Sequence, residues 1–226
     1  MTPTPIEELD DDIAPVTPER PRTEASHVVE RYAADLSDAV ERLPHADVAA
    51  AIQAVERALH AGRSIFVAGN GGSAATAQHM AADIAAAWLA GGGRGIVMAL
   101  ADNTARWSAL VNDEGADRGF ASQLEMLGRP GDVLVLLSVS ADSPNLVAAA
   151  TVAAERGLDL IALVGRRGRI AQVAQVVVEV GAGDYGLTED LHLWVNHCLV
   201  RYLRHGEPQV CAAVGAPAPV LAGTEL

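Results

Sequence analysis

Five short apolar runs punctuate the chain, at residues 64–68, 95–100, 132–137, 158–164 and 175–180. Each is bounded by Gly, Asp, Arg or Ser, the mark of a strand buried on both faces. Between the runs apolar positions recur at three- and four-residue spacing, which predicts helices over 73–90, 104–113, 117–128, 144–156, 168–174 and 187–204. Strands that alternate with helices join through right-handed crossovers, so the expected architecture is α/β: a three-layer, doubly wound parallel sheet. Two amphipathic stretches, Ala25 to Leu43 and His45 to His60, precede the first strand and predict N-terminal helices.

Two of the strand-to-helix junctions are unusual. After Ser64-Ile-Phe-Val-Ala68 comes Gly69-Asn70-Gly71-Gly72-Ser73, and a helical stretch begins at once. Glycines there allow positive φ and close approach to a ligand, while the free N–H groups of the next helix point at an anion. Asp132-Val-Leu-Val-Leu-Leu137 similarly empties into Ser138-Val-Ser140-Ala-Asp-Ser143-Pro144. Two such turns predict one anion site at the carboxyl edge of the sheet. The first loop also fits Gly-x-Gly-x-x-Ala through Gly69, Gly71 and Ala74, the start of a dinucleotide fingerprint. The nearest acid after the next strand, Asp102, lies over thirty residues on, against roughly twenty for a ribose acceptor. No nucleotide cofactor is expected.

At 226 residues, half of them apolar, the chain can bury one sizeable core. Residues 1–27 hold seven acids, two arginines and five of the eleven prolines, the composition of a disordered acidic tail. Residues 206–226, rich in small residues and without periodicity, read as a flexible C-terminal tail, which leaves 28–205 as the folded domain. No apolar run approaches a membrane span and no basic-then-apolar leader stands at the start, so a soluble, unexported protein is expected. The formal charge of −13 and the lack of a basic stripe exclude nucleic acid as a partner. All sixteen basic residues are Arg. Schiff-base chemistry and a phosphate-binding P-loop lysine are thereby ruled out. Cys198 and Cys211 form no disulfide or zinc pattern, and Cys198 reads as a core residue. Trp88, Trp107 and Trp194 read as packing residues.

Candidate chemistry sits on two helices. His79 and Asp83, four apart, share a face about one turn beyond the glycine loop. Taken alone such a pair is an ordinary surface hydrogen bond. On the late helix Glu189, Asp190, His192 and His197 interrupt an apolar pattern that includes Leu191, Leu193, Val195 and Leu199. His192 and His197 are five apart, about 140° around the helix, so one of them is structural, and His192 is the better choice. His79, Asp83, Glu189 and His197 together could hold zinc or another divalent ion, or could move protons on a sugar carbon.

Over residues 28–205 the chain resembles the sugar isomerase (SIS) domain proteins and, among them, the phosphoheptose isomerases. The resemblance is carried by Ala68-Gly-Asn-Gly-Gly-Ser-Ala74, Gln78-His79, Asn112-Asp113, Gly128-Arg-Pro-Gly-Asp132, Ser138-x-Ser140-x-x-Ser143-Pro144-Asn145, and His192 with His197. It implies a flavodoxin-like sheet whose N-terminal helices build a homotetramer with active sites between subunits. It further implies a cytoplasmic isomerase that converts sedoheptulose 7-phosphate, or a related sugar phosphate, to an aldose through an enediol. Asn70, Gly71, Gly72, Ser73, Ser138, Ser140, Ser143, Asn103 and Thr104 would hold the sugar phosphate. Asp83 and His197 would be the catalytic pair, and His79, Asp83, Glu189 and His197 would hold zinc where a member carries it.

Several positions depart from that pattern. Asp83 stands where the family usually has Glu, Glu189 where it has Gln, Ala87 where it has an active-site Arg, and Asn103 where it has Asp. Ala141-Asp142 replaces Gly-Asn in the serine loop, and Asp142 is expected to add negative charge near a phosphate. Glu189 is expected to strengthen a metal site. The alternative implied by the same resemblance is a non-enzymatic SIS protein that binds a replication initiator or senses sugar phosphates.

Overall fold

A computed structural model describes residues 22–205; the expected tails over 1–21 and 206–226 lie outside the described residues. The chain divides into two units at Asp38 and Ala39. The described part of the first is one helix. This helix, α1, spans Arg22–Glu41 and so begins inside the stretch whose composition suggested a tail to residue 27. Val28 and Val29 on it are each 69% exposed.

The second unit holds a five-stranded parallel sheet in the order β2-β1-β3-β4-β5. The strands are β1 (Ile65–Gly69), β2 (Val97–Ala99), β3 (Val133–Ser138), β4 (Asp159–Val164) and β5 (Val176–Glu179). They are threaded through α2 (His45–His60), α3 (Gly72–Ala90), α4 (Thr104–Glu114), α5 (Ala121–Leu127), α6 (Pro144–Arg156), α7 (Arg169–Val173) and α8 (Tyr185–His205). All five expected strands are present, displaced by a residue or two at their ends.

Strand residues alternate between two apolar faces. Phe66, Ala68, Leu134, Leu136, Leu160, Ala162 and Val164 join Phe120, Leu124, Leu146 and Ala153 in one core layer. Ile65, Val67, Val133, Leu137 and Leu163 point the other way, buried with Leu59 of α2, Met80 and Ile84 of α3, and Leu191 and Val195 of α8. Burial on both faces explains why the strands read as continuous hydrophobic runs.

Gly128-Arg-Pro-Gly-Asp132 closes the amino edge of this sheet. The Asp132 carboxylate, 3% exposed, accepts from the Ser64 N–H at 2.8 Å and from the Arg129 N–H at 2.9 Å, tying the starts of β1 and β3 together. At the opposite edge the chain leaves β1 toward β2 on one side and later returns to β3 on the other. The β1/β3 boundary is the topological switch point, where a crevice opens outside the carboxyl ends of the strands. Gly69 and Leu137 are register partners, so the glycine and serine loops emerge side by side.

Candidate functional site

The glycine loop is shaped by close backbone approach. A Cβ on Gly69 would lie 2.6 Å from the Ser73 carbonyl oxygen, and Gly71, the N-cap of α3, has φ +57°. Ser73 is buried, and the first N–H groups of α3 have no partner inside the helix. Across the switch point Asn70 and Asn145 exchange a reciprocal amide pair: Asn70 Nδ2 donates to Asn145 Oδ1 at 3.0 Å, and Asn145 Nδ2 donates to Asn70 Oδ1 at 2.8 Å. This clamp locks the two loops together. Asn145 belongs to the motif that suggested the family, but its pairing with Asn70, 75 residues away, has no signal in local spacing.

In the serine loop the hydroxyl oxygens serve the loop itself. Ser138 Oγ accepts from the Ala141 N–H at 3.0 Å and Ser140 Oγ accepts from the Asp142 N–H at 3.3 Å. Their hydroxyl protons are left to donate outward. Ser143 is the N-cap of α6 without capping its own helix by its side chain, and Pro144 follows at the first helical position. Ala141, fully buried, takes φ +56°, the left-handed region that favours glycine.

Asp142 does not face the seat as its charge suggested. Its Oδ1 accepts from the Arg169 N–H at 3.0 Å and from Arg169 Nε at 3.4 Å, and Arg166 lies 4.0 Å from Oδ2. Hydrogen bonding to the Arg169 backbone, reinforced by these guanidinium groups, holds its carboxyl below the usual range. The carboxylate is thus paired within the β4–α7 turn. Asn103 is likewise engaged as the N-cap of α4, accepting from the Arg106 N–H at 2.9 Å, with exposed Thr104 opening the helix. Ala87 is 1% exposed and belongs to the core.

Elsewhere α3 packs on α8, and three polar side chains meet along that helix pair. His79 Nε2 lies 3.1 Å from Asp83 Oδ2, and the His79 and His197 rings meet edge to face with centroids 5.7 Å apart. One ligand atom from each of His79, Asp83 and His197 falls within 4.8 Å of the others. Two imidazole nitrogens and a carboxylate oxygen suit zinc or a comparable divalent ion, so this trio fits a metal on its donor chemistry. Asn196 completes the group: fully buried, it donates from Nδ2 to Asp83 Oδ2 at 3.0 Å. Sequence reasoning passed it over, although a polar residue amid Val195, Leu199 and Val200 is itself a signal.

Glu189 is not among the three residues whose ligand atoms cluster. It lies eight residues before His197, about 12 Å along the helix axis. Its carboxylate instead presses on Gly72, where a Cβ would overlap it. An anionic side chain therefore borders the first turn of α3.

His192 is fully buried, and neither ring nitrogen has a hydrogen-bond partner. Burial pushes its pKa down to about 4; a weaker opposing pull from the Leu163 backbone is outweighed. Its structural assignment agrees with that neutral state. Cys198, expected in the core, is half-buried, its thiol pushed up by that burial against a smaller lowering influence of Arg201. Trp107 packs on Phe120 with centroids 4.3 Å apart, and Trp88 meets His60 edge to face at 4.9 Å.

Residues 30–165 match the family model described as SIS domain. Among curated proteins the chain is similar to the phosphoheptose isomerase of Rhodospirillum rubrum, 39% identical over 153 residues, covering 67% of this chain and 81% of the relative. It is 34% identical over 184 residues to that of Nitratidesulfovibrio vulgaris, covering 81% of this chain and 85% of the relative. Among solved structures, the phosphoheptose isomerase of Neisseria gonorrhoeae superposes with a TM-score of 0.71 at 32% identity, covering 80% of this chain and 98% of that one.

Proposed function

The chain belongs to the SIS domain family, and on that premise we propose that it is a sugar-phosphate isomerase of the phosphoheptose type, interconverting sedoheptulose 7-phosphate and an aldoheptose 7-phosphate. The observation that carries this reading is the convergence of His79, Asp83 and His197 on the α3–α8 face, together with the two loops clamped at the switch point. A protein that only bound a partner would have no need of that trio, and the relatives do not favour a non-enzymatic role.

The loops hold the phosphate. Serine hydroxyls at 73, 138, 140 and 143 and the free N–H groups of α3 donate to its oxygens, and Asn70 meets the sugar. Held in this way, the carbon chain is presented to the α3–α8 face with its reacting carbons oriented. The Asp83 carboxylate removes the proton from the carbon beside the carbonyl, giving a cis-enediol. His197 passes a proton between the two adjacent oxygens, and return of the proton to the neighbouring carbon completes the isomerisation. His79 fixes the Asp83 carboxylate through the 3.1 Å contact. A divalent ion, where His79, Asp83 and His197 hold one, would polarise the carbonyl and stabilise negative charge on its oxygen. Glu189, beside Gly72, is placed to accept hydrogen bonds from sugar hydroxyls and sets the charge of the seat.

The exposed Val28, Val29 and Tyr32 of α1 favour a homotetramer with active sites between subunits, and light scattering at micromolar concentration would detect a monomer and overturn it. The sugar-phosphate substrate favours a cytoplasmic location; among the described residues no helix is long and apolar enough to cross a membrane. The deciding experiment is incubation of the purified protein with sedoheptulose 7-phosphate, with and without chelator, following aldose formation. Turnover in the untreated protein is expected, loss on chelation would identify a required metal, and no aldose in either sample would overturn the activity.

A further inference from the structure

Resting on the reading of Asp83 as the reacting carboxylate, we infer that Asn196 is a positioning residue that orients the Asp83 carboxylate. The Asp83 carboxylate has two oxygens, and both described contacts fall on one of them. Oδ2 lies 3.1 Å from His79 Nε2, one turn earlier on α3, and accepts from Asn196 Nδ2 at 3.0 Å from α8, 113 residues away in sequence. Oδ1 is left with its lone pairs uncommitted, as the oxygen that can take a proton or a cation. Aspartate has a short side chain whose terminal torsion is broad, so a carboxylate half in solvent does not hold one orientation unaided. A donor fixed in the protein interior supplies that orientation.

The orientation of the amide itself is dictated by chemistry. Turned over, Asn196 would set its carbonyl oxygen against the carboxylate, a repulsive contact between two acceptors. With Nδ2 committed to Asp83, Asn196 Oδ1 is buried and has no partner. Leaving a buried carbonyl unpaired is unfavourable for the fold. An apolar residue of similar volume at 196 would pack as well and leave nothing unsatisfied. The amide is therefore unfavourable for the fold, and its one completed hydrogen bond is to the carboxylate at the reaction centre. That is the signature of a group retained for what it does to Asp83.

A double-mutant cycle in the full-length protein tests this, with sedoheptulose 7-phosphate as substrate. Asn196→Leu keeps the branched outline of the side chain and removes both polar atoms. Its turnover should fall about tenfold or more, the usual scale for loss of an orienting partner behind a reactive group. KM should stay within about twofold, because phosphate binding is untouched. Thermal stability should be equal to wild type or higher, since the orphaned carbonyl is gone. Asp83→Ala should lose more turnover than Asn196→Leu, and the double variant should be no worse than Asp83→Ala alone, because Asn196 then has nothing to position. Wild-type turnover in Asn196→Leu, or losses that multiply in the double variant, would overturn the inference while leaving the isomerase reading intact. Wild-type turnover in Asp83→Ala would instead remove the reaction centre, and this inference with it.

Discussion

The serine and glycine loops and the α3–α8 face are built in opposite ways. Within each loop the serine and glycine contacts are local, and the Asn70–Asn145 pair links the two loops: Ser138 reaches the N–H three residues on, Ser140 the N–H two residues on, and Gly69 faces the carbonyl of Ser73. The α3–α8 face is assembled from side chains more than 110 residues apart, and its central hydrogen bond, Asn196 to Asp83, joins two helices. On the proposed function, the first construction would hold a ligand with backbone and hydroxyl groups that act alike in ground and transition states, and the second would place groups that gain or lose protons during reaction. The contrast teaches that binding and turnover should be separable by mutation.

The sharpest break is expected at His197. Replacing it by Ala should cut turnover by ~10² or more while KM stays near wild type, the usual scale for one general acid/base group. Steady-state kinetics with unchanged turnover would show that the α3–α8 face does no chemistry.

Next in size is a cost of the buried helix face. His192 titrates near 6.5 in the unfolded chain but only near about 4 when folded, so between those values the unfolded state binds more protons. Its contribution to stability is therefore present above about pH 6.5 and is lost as pH falls toward 4. Denaturant unfolding at pH 7 and pH 5 should show wild type losing about 2 kcal/mol more than His192→Leu over that interval. Equal losses in the two proteins would mean that His192 is protonated inside the fold.

The loops should respond in the complementary way. Ser140→Ala combined with Ser143→Ala should raise KM about tenfold and change turnover less, because those contacts bind ground and transition states equally. A fall in turnover with KM unchanged would erase the division of labour. The smallest effect is expected at Asp142. Its partners are the exposed Arg166 and Arg169 rather than the seat, so Asp142→Asn should shift KM by less than about fivefold, the range of a solvent-exposed ion pair. A large tightening of substrate binding would show that its charge does reach the phosphate.

Legibility followed the same division. Strand and helix placement rested on periodicity that both faces of the sheet impose, and Gly69-Asn-Gly-Gly-Ser73 declared its loop because glycine geometry is a local property. The Arg22 start of α1 escaped a composition-based boundary at residue 27, since a few acids and prolines weigh on an average without breaking the helix that follows them. Glu189 was grouped with His79, Asp83 and His197 in one candidate site, and that its carboxylate lies against Gly72 was not legible from spacing. Cys198 was assigned to the core on its residue type, while the turn of α8 leaves it half-buried.

By itself the sequence determined the order and type of the elements, the two ligand loops, the family, and the candidate polar residues, because each is encoded within a few residues or in an ordered string of motifs. Only the tertiary structure decided which polar groups meet. It set Asn70 against Asn145, turned Asp142 toward Arg166 and Arg169, brought Asn196 to Asp83, and left Glu189 at the glycine loop. These pairings depend on the packing of α3 on α8 and on the β1/β3 register, which are distances in space between segments far apart in the chain.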